Sequence, residues 1–370
     1  MSKIAFIWQG VHGPALIDRL AQAGHDLVYL EKSGQKTAES SPRAGCAAKD
    51  LTDVLASAEI VMTLLDSPQE VEEVYLAGGG IFEKAPAGAA FIDLTTSSPR
   101  LARELHALAA VHDHPFVEAP FEMSVTAWWD EHPLGLENLD TSLAPSLVPV
   151  RIFAAGEPDS LALTLPLLRL LAPEVVDCGL PGAGCAMRLS SLIAVAGALM
   201  GLIESMSFAS LSGVGQERIL EVMNVGACAS AVTSYFGKHI LDEDFDFGCD
   251  LWQFFNDLTV ALDAADELDL VLPGLETAHQ LYDLLVMVGG GDKGIHALAL
   301  LYTDEGRATQ HGLNWELAQR AMDVYERVLD GYDDDDYYYD DDDDCDDPEC
   351  GHHHHDDDQR PSIGHYFSEN

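Results

Sequence analysis

Basic residues are scarce in this chain. Its 370 residues carry 19 Lys and Arg against 63 Asp and Glu, a formal net charge of −44. Such a surface repels phosphate, which argues against nucleic acid or an anionic membrane as partner. Cysteine is scarce as well: seven residues, an odd number, scattered from Cys46 to Cys350. That usage suits a reducing cytoplasm better than a disulfide framework. Long apolar runs are missing. The most apolar stretch, LIAVAGALMGLI (192–203), is shorter than a bilayer requires and is closed by Glu204. The N-terminus, MSKIAFIWQG, enters a strand pattern at once, without the basic and apolar regions of a signal peptide. Gly-x-Ser-x-Gly, Walker and four-ligand zinc patterns are also absent.

What is present fits a soluble globular protein with room for two cores: 47% hydrophobic residues and a mean hydropathy of +0.02. The charge has two sources. Residues 331–370 hold 16 Asp and Glu against Arg360 alone, and the first 330 residues hold 47 acids against 18 bases. The body is therefore acidic in its own right, a composition that also suits life in high salt. The tail, GYDDDDYYYDDDDDCDDPECGHHHHDDDQRPSIGHYFSEN, is low-complexity, and charges so dense resist folding. Cys345, Cys350, His352, His353, His354 and His355 are candidate ligands for a divalent metal there, although the Cys spacing matches no zinc template.

Short runs rich in Ile, Val and Phe alternate with helix-like segments: KIAFIW (3–8), DLVYL (26–30), EIVMTLL (59–65) and AFIDL (90–94). The alternation predicts a parallel sheet with right-handed crossovers, extended by PFVEAP (115–120), VRIFAAG (150–156) and EVVDCG (174–179). After GLPGAG (179–184) the period becomes helical. One long helix opens with CAMRLSSLIAVAGALMGLIESMSFASLSG, and helical spacing continues to about Arg327. The reading is an α/β domain over 1–180, an all-α domain over 181–330 and a tail over 331–370.

The first strand runs into Trp8-Gln9-Gly10-Val11-His12-Gly13. A G-x-G-x-x-G turn uses its first glycine to turn, its second to let a pyrophosphate approach the backbone, and its third to pack helix on strand. Here the first position is Trp8, which brings an indole to the turn; Gly10 and Gly13 remain. Gly10, Val11, His12 and Gly13 are candidate cofactor contacts at a helix N-terminus. Glu31, at the end of the second strand, suits the ribose hydroxyls of NAD and repels the extra phosphate of NADP.

These stretches, with SAEIVMTLLDSPQEVEEVYLAGGGIFEKAPAGAAFIDLTTSSP, HPFVEAPFE and LWQFFNDLTVALDAADELDLVLPGLETAHQLYDLLVMVGGGDKG, resemble the β-hydroxyacid dehydrogenase family of 3-hydroxyisobutyrate dehydrogenase and tartronate semialdehyde reductase. The resemblance covers residues 3–305, with extra residues between Met123 and Val150. It implies a Rossmann domain, a long interdomain helix, an all-α domain, a nicotinamide cofactor (NAD or NADP), and a homodimer or homotetramer built through the helices. It also implies cofactor contacts at Leu65 and at Thr96, near the nicotinamide. The chemistry departs from the family pattern. The substrate-binding Ser-Gly-Gly becomes Glu122-Met123-Ser124, the catalytic Lys falls on Arg188, a following Asn falls on Ser191 or Leu192, and a second Lys falls on Asn256 while Asp257 remains.

Arginine stays charged near neutral pH and cannot exchange the proton that accompanies hydride transfer. Arg188 can still orient a carboxylate or polarise a carbonyl. Glu122 would repel an acid substrate; it either pairs with Arg188 and fills the site or serves as a replacement acid or base. Trp128 and Trp129 pack the long loop or line a pocket. His112 and His114 read as surface residues, and Cys185 as a small buried residue or a nucleophile at a helix start. Two functions follow: a divergent NAD(P)-dependent oxidoreductase acting on a small carbonyl, hydroxy or imine compound, or a non-catalytic descendant that binds or scaffolds.

Overall fold

β-Branched runs pack best as strands buried on both faces, and helices between them supply the cover. Among the described residues of the computed structural model this yields nine strands: β1 (Lys3–Trp8), β2 (Asp26–Glu31), β3 (Cys46–Ala47), β4 (Ile60–Leu64), β5 (Ala90–Asp93), β6 (Phe116–Glu118), β7 (Phe121–Met123), β8 (Pro149–Gly156) and β9 (Glu174–Gly179). The structure describes residues 1–10, 12–32, 42, 44–123, 149–246 and 251–320. Residues Met1–Met322 form one compact unit; a second, Asp323–Asn370, lies outside the described residues and takes the candidate tail ligands with it.

The sheet order is β3-β2-β1-β4-β5-β6-β8-β7, with β9 on the far side of β8. From β3 to β6 every pairing is parallel, as the alternation predicts. Beyond β6 the expectation of a parallel sheet fails: β8 runs antiparallel to both β6 and β7. The two short strands are consecutive pieces of one edge. They flank Ala119-Pro120, and Phe153 N donates across that gap to the Pro120 carbonyl at 2.9 Å. This places Glu118 on one side of the break and Glu122 on the other.

Helices α1 (Gly13–Gln22), α2 (Leu51–Leu55), α3 (Pro68–Leu76), α4 (Ile81–Lys84), α5 (Pro99–Val111) and α6 (Pro158–Leu171) cover the sheet. The helices after β4 and β5 start alike. Ser67 and Ser98 accept from the N–H three residues on, at 3.3 and 3.1 Å, and a proline follows each. Both loops therefore leave the same edge of the sheet in a fixed shape.

Gly182, at φ +89, opens α7 (Ala183–Leu211), 29 residues long. The helix is long and apolar enough to cross a membrane by composition alone, and a third of its most apolar window is buried. Its Leu192, Leu199, Leu202 and Met206 face a core shared with α8 (Gln216–Met223), α9 (Ala231–Leu241), α10 (Leu251–Asp266), α11 (Pro273–Leu285) and a 3-10 segment, Ile295–Tyr302. α12 (Glu305–Gln310) follows.

Candidate functional site

In a doubly wound sheet a ligand binds beyond the carboxyl ends of the strands, where the order reverses. Here β1 lies between β2 and β4, with Trp8 opposite both Glu31 and Leu64 in register. Gly10, Glu31, Leu65 and Thr96 consequently gather at one edge, and Gln9 N ties the turn to Leu64 O at 2.9 Å. Val11 lies outside the described residues.

Trp8 is not where the motif suggests. It is the last residue of β1, and the left-handed backbone falls on Gly10, at φ +78. A tryptophan is therefore sterically admissible at the first glycine position. Its side chain is 1% exposed and turns into the core against Phe6, Leu16 and Leu20, rather than into the ligand edge. Gly13 makes room for it: a Cβ there would lie 2.4 Å from Trp8 Cδ2. Among the described residues indole Nε1 is buried with no hydrogen-bond partner. His12, half-buried before α1, stands edge-on to the Phe121 ring at 6.1 Å. Beside Glu31, Lys32 is held by Glu70 at 2.6 Å and Glu73 at 3.3 Å, both on α3.

The walls at β4 and β5 are tied by buried hydroxyls. Tyr75 OH donates to Thr63 Oγ1 at 2.7 Å, which donates to Asp93 Oδ1 at 2.9 Å. Thr95 gives the same oxygen its N–H and its hydroxyl, at 3.1 and 2.7 Å, and accepts from Leu65 N at 3.0 Å. Burial pushes the Asp93 carboxyl up to about 6, against the pull of these donors. This network fixes the Leu65 backbone and the Thr95–Thr96 turn together.

The helical half meets this edge through charge. Arg188 Nη2 donates to Asp257 Oδ2 at 2.9 Å, and Asp257 also accepts from Gln253 at 2.9 Å and from Thr96 Oγ1 at 3.4 Å. Both partners are largely buried, at 13% and 3% side-chain exposure. Burial raises the Asp257 carboxyl, and Arg188 and its other donors oppose that rise. Among the described residues Arg188 Nε is buried with no hydrogen-bond partner.

One turn further along α7, Ser191 Oγ donates to Glu122 Oε1 at 2.9 Å. Arg151 Nη1 reaches Glu122 Oε2 at 3.1 Å, and its Nε reaches Glu174 at 2.8 Å. The pairing of Glu122 with Arg188 expected from the sequence is therefore corrected. Glu122 sits opposite Arg151 in the β7–β8 register and takes that guanidinium, while Arg188 is taken by Asp257. Glu122 still reaches α7 one turn beyond Arg188, through Ser191. Among the described residues Asn256 makes no side-chain hydrogen bond, so it is placed beside the cluster and not tied into it.

Glu118 anchors α7. Its carboxylate accepts from Gly182, Gly184 and Cys185 N–H at 2.9, 2.8 and 3.2 Å, and burial pushes it up to about 7. His106, 3.8 Å away and buried, is pushed down to about 4. Cys185 is buried, and its thiol is pushed up by desolvation and by Glu118 and Asp93, which disfavours the thiolate a nucleophile needs. His114 is likewise no surface residue: it is 6% exposed, with its ring nitrogens on the carbonyls of Ala89 and Phe82. His112 is half-buried and stacks on Phe82. Trp128 and Trp129 lie outside the described residues, and among those described no group of three or more His, Cys, Asp or Glu is placed to hold a metal.

Residue-by-residue reading of the motifs missed the partners. Asp257 was legible as the acid that follows Asn256. Arg151, Gln253 and Glu118 carried no signal, because each acquires its role from tertiary pairing.

Two family models match: the NAD binding domain of 6-phosphogluconate dehydrogenase over residues 3–123, and the NAD-binding domain of NADP-dependent 3-hydroxyisobutyrate dehydrogenase over residues 182–302. An uncharacterized oxidoreductase of Bacillus subtilis, YkwC, is 29% identical over 300 residues, covering 81% of this chain and 98% of that protein. A probable mitochondrial 3-hydroxyisobutyrate dehydrogenase-like protein of Arabidopsis thaliana is also 29% identical, covering 81% of this chain and 84% of its own length. The solved 3-hydroxyisobutyrate dehydrogenase of Mycobacterium tuberculosis shares the fold, with a TM-score of 0.70, 20% identity and coverage of 82% of this chain and all of that one. The chain belongs to the β-hydroxyacid dehydrogenase family, with an NAD(P)-binding Rossmann domain followed by a helical domain.

Proposed function

We propose that this protein is an NAD(P)-dependent oxidoreductase that transfers hydride to or from a small carbonyl, hydroxy or imine compound lacking a carboxylate. The observation that carries the reading is the Thr96–Asp257–Arg188 chain, which joins the cofactor edge to the helical half through buried, directional contacts. The residues suit a dinucleotide: Gly10, at φ +78, has no Cβ of its own to meet a phosphate, Glu31 suits ribose hydroxyls, and the family resemblance assigns Thr96 to the nicotinamide end. The nicotinamide supplies or receives the hydride. NAD is favoured over NADP because Glu31 would repel a 2′-phosphate, and the neighbouring Lys32 is already engaged by Glu70 and Glu73.

The chain's own residues divide the remaining work. Arg188, locked by Asp257, keeps a buried Nε free to polarise a substrate oxygen or hold an imine's substituent. It cannot give up a proton, so proton exchange falls to Glu122 through Ser191 Oγ. Glu122 also disfavours an acid substrate and favours a cationic or neutral one.

A thermal-shift series with NAD(H) and NADP(H), followed by turnover on a panel of ketones, alcohols and cyclic imines, tests this. Stabilisation by cofactor is expected, about 2.7 kcal/mol when ligand is present at a hundred times Kd. Glu122→Gln and Arg188→Ala should each abolish turnover. Absence of any shift at millimolar cofactor overturns the reading, and cofactor binding without turnover leaves the non-catalytic descendant. We further propose a homo-oligomer through α7, whose Ser190, Ala194, Gly197 and Gly201 form an exposed small-residue line; a Cβ on either glycine would meet nothing within 4 Å.

A further inference from the structure

Asp66 occupies space that the dinucleotide reading reserves for phosphate. The second glycine of the turn lacks a side chain so that a pyrophosphate can approach the backbone. The direction in which Gly10 lacks a Cβ therefore marks the approach. A Cβ built there would lie 2.8 Å from Asp66 Oδ1 and 3.8 Å from its Cγ. The placement follows from register. Trp8 and Leu64 are paired on β1 and β4, and each strand runs on two residues, to Gly10 and to Asp66. Ser67 and Pro68, which start α3, hold the chain just after Asp66.

The electrostatics are consistent with a carboxylate seated there. α1 has no acidic residue in its first turn and no side-chain cap, so its N-terminal partial positive charge calls for an anion from elsewhere. Asp66 itself is half-buried, at the mouth of this turn.

We propose that Asp66 is an internal anion that competes with the cofactor pyrophosphate at the Gly10 turn, setting a weak, salt-dependent cofactor affinity. The proposal rests on the dinucleotide reading of this edge. Its consequence is a binding site whose affinity rises when the carboxylate is neutralised or screened, the opposite of a phosphate site built from cations.

Isothermal titration of the full chain with NAD, ADP-ribose and adenosine tests it, comparing wild type with Asp66→Asn and Asp66→Ser. Glu221→Gln, an exposed change on α8 away from this edge, controls for net charge. At about 50 mM salt, both Asp66 variants should bind NAD and ADP-ribose about tenfold more tightly, ~1.4 kcal/mol. Adenosine, which has no phosphate, should bind all four proteins equally. At about 1 M salt, where the screening length is near 3 Å, the tenfold gap should shrink to threefold or less. Equal NAD affinity in wild type and both variants overturns the role of Asp66 and leaves the dinucleotide reading standing. So does equal tightening by Glu221→Gln. If no protein binds NAD or ADP-ribose at all, the dinucleotide reading fails and the inference falls with it.

Discussion

The indole of Trp8 and the bare Cα of Gly13 are a matched pair, and a double-mutant cycle measures the match. In the native chain a Cβ at Gly13 would stand 2.4, 2.5 and 2.6 Å from three ring atoms of Trp8, which is itself 1% exposed among Phe6, Leu16 and Leu20. Nothing there can swing aside without moving β1 or α1, so Gly13→Ala should cost about 1–3 kcal/mol as overpacking. Trp8→Ala should cost about 3–5 kcal/mol as a core cavity, somewhat offset because the buried, unpartnered indole N–H disappears with the ring. In the Trp8→Ala background the overlap is gone. Gly13 does not have a positive φ, so alanine's helical preference of up to ~1 kcal/mol can then show. The same substitution is therefore destabilising in one background and neutral or stabilising in the other, a coupling of about 1–3 kcal/mol. Urea unfolding followed by far-ultraviolet circular dichroism reads all four proteins without relying on the removed fluorophore. Additivity of the two changes to within about 0.5 kcal/mol would refute the packing argument. It would mean that the indole does not lie on α1 and is available to the ligand edge.

Glu118 gives a pH test. Its carboxyl is raised from 4.5 to about 7, so between those values the native state holds a proton that the unfolded chain has released. Its contribution to stability is complete below about 4.5 and lost as the pH rises through about 7. His106, lowered from 6.5 to about 4, contributes the opposite slope, so the readout is the difference between Tm-against-pH curves of wild type and Glu118→Gln. That difference should change across pH 4.5–7, and a constant offset would contradict the assignment. If α7 carries the proposed homo-oligomer, Gly197→Arg should lower the mass to that of a monomer in light scattering, with the circular dichroism spectrum unchanged; an unchanged mass would remove this helix line from the proposed interface.

Much of the scaffold was legible because it depends on local rules. Ile, Val and Phe runs separated by helical segments led to β1, β2, β4 and β5, and the switch to helical spacing after Gly184 led to α7. The antiparallel turn of β8 was not legible, since it depends on which edge a returning strand meets, and periodicity carries no direction. The site divided in the same way. Thr96, Arg188 and Asp257 could be located from their place in the chain, and the structure brings them into contact. The partner of Glu122 could not, because two arginines of equal charge were available and only the β7–β8 register selects Arg151. Trp8 was misread for a simpler reason. The motif assigns the turn to its first position, whereas the left-handed backbone here sits at Gly10.

The replacements at the family's working positions are not independent. An arginine in place of a lysine lengthens the side chain and fixes its charge, and Asp257 is placed to neutralise it in a buried setting where an unpaired guanidinium would be costly. A glutamate in place of a serine adds a charge that Arg151 answers from the facing strand, with Ser191 holding the other oxygen. A tryptophan in place of a glycine adds a ring that the third glycine accommodates. Each intrusion thus has its own structural answer, and none of those answers uses Arg188 Nε. A site merely filled in would be expected to satisfy that buried donor, because leaving it bare costs about 1–3 kcal/mol or more for a charged group. Among the described residues that donor is unmet, and the proposed function gives it a substrate acceptor. It is the reason to read these substitutions as a rebuilt catalytic end, and to expect Arg188→Ala to reduce substrate turnover far more than cofactor binding.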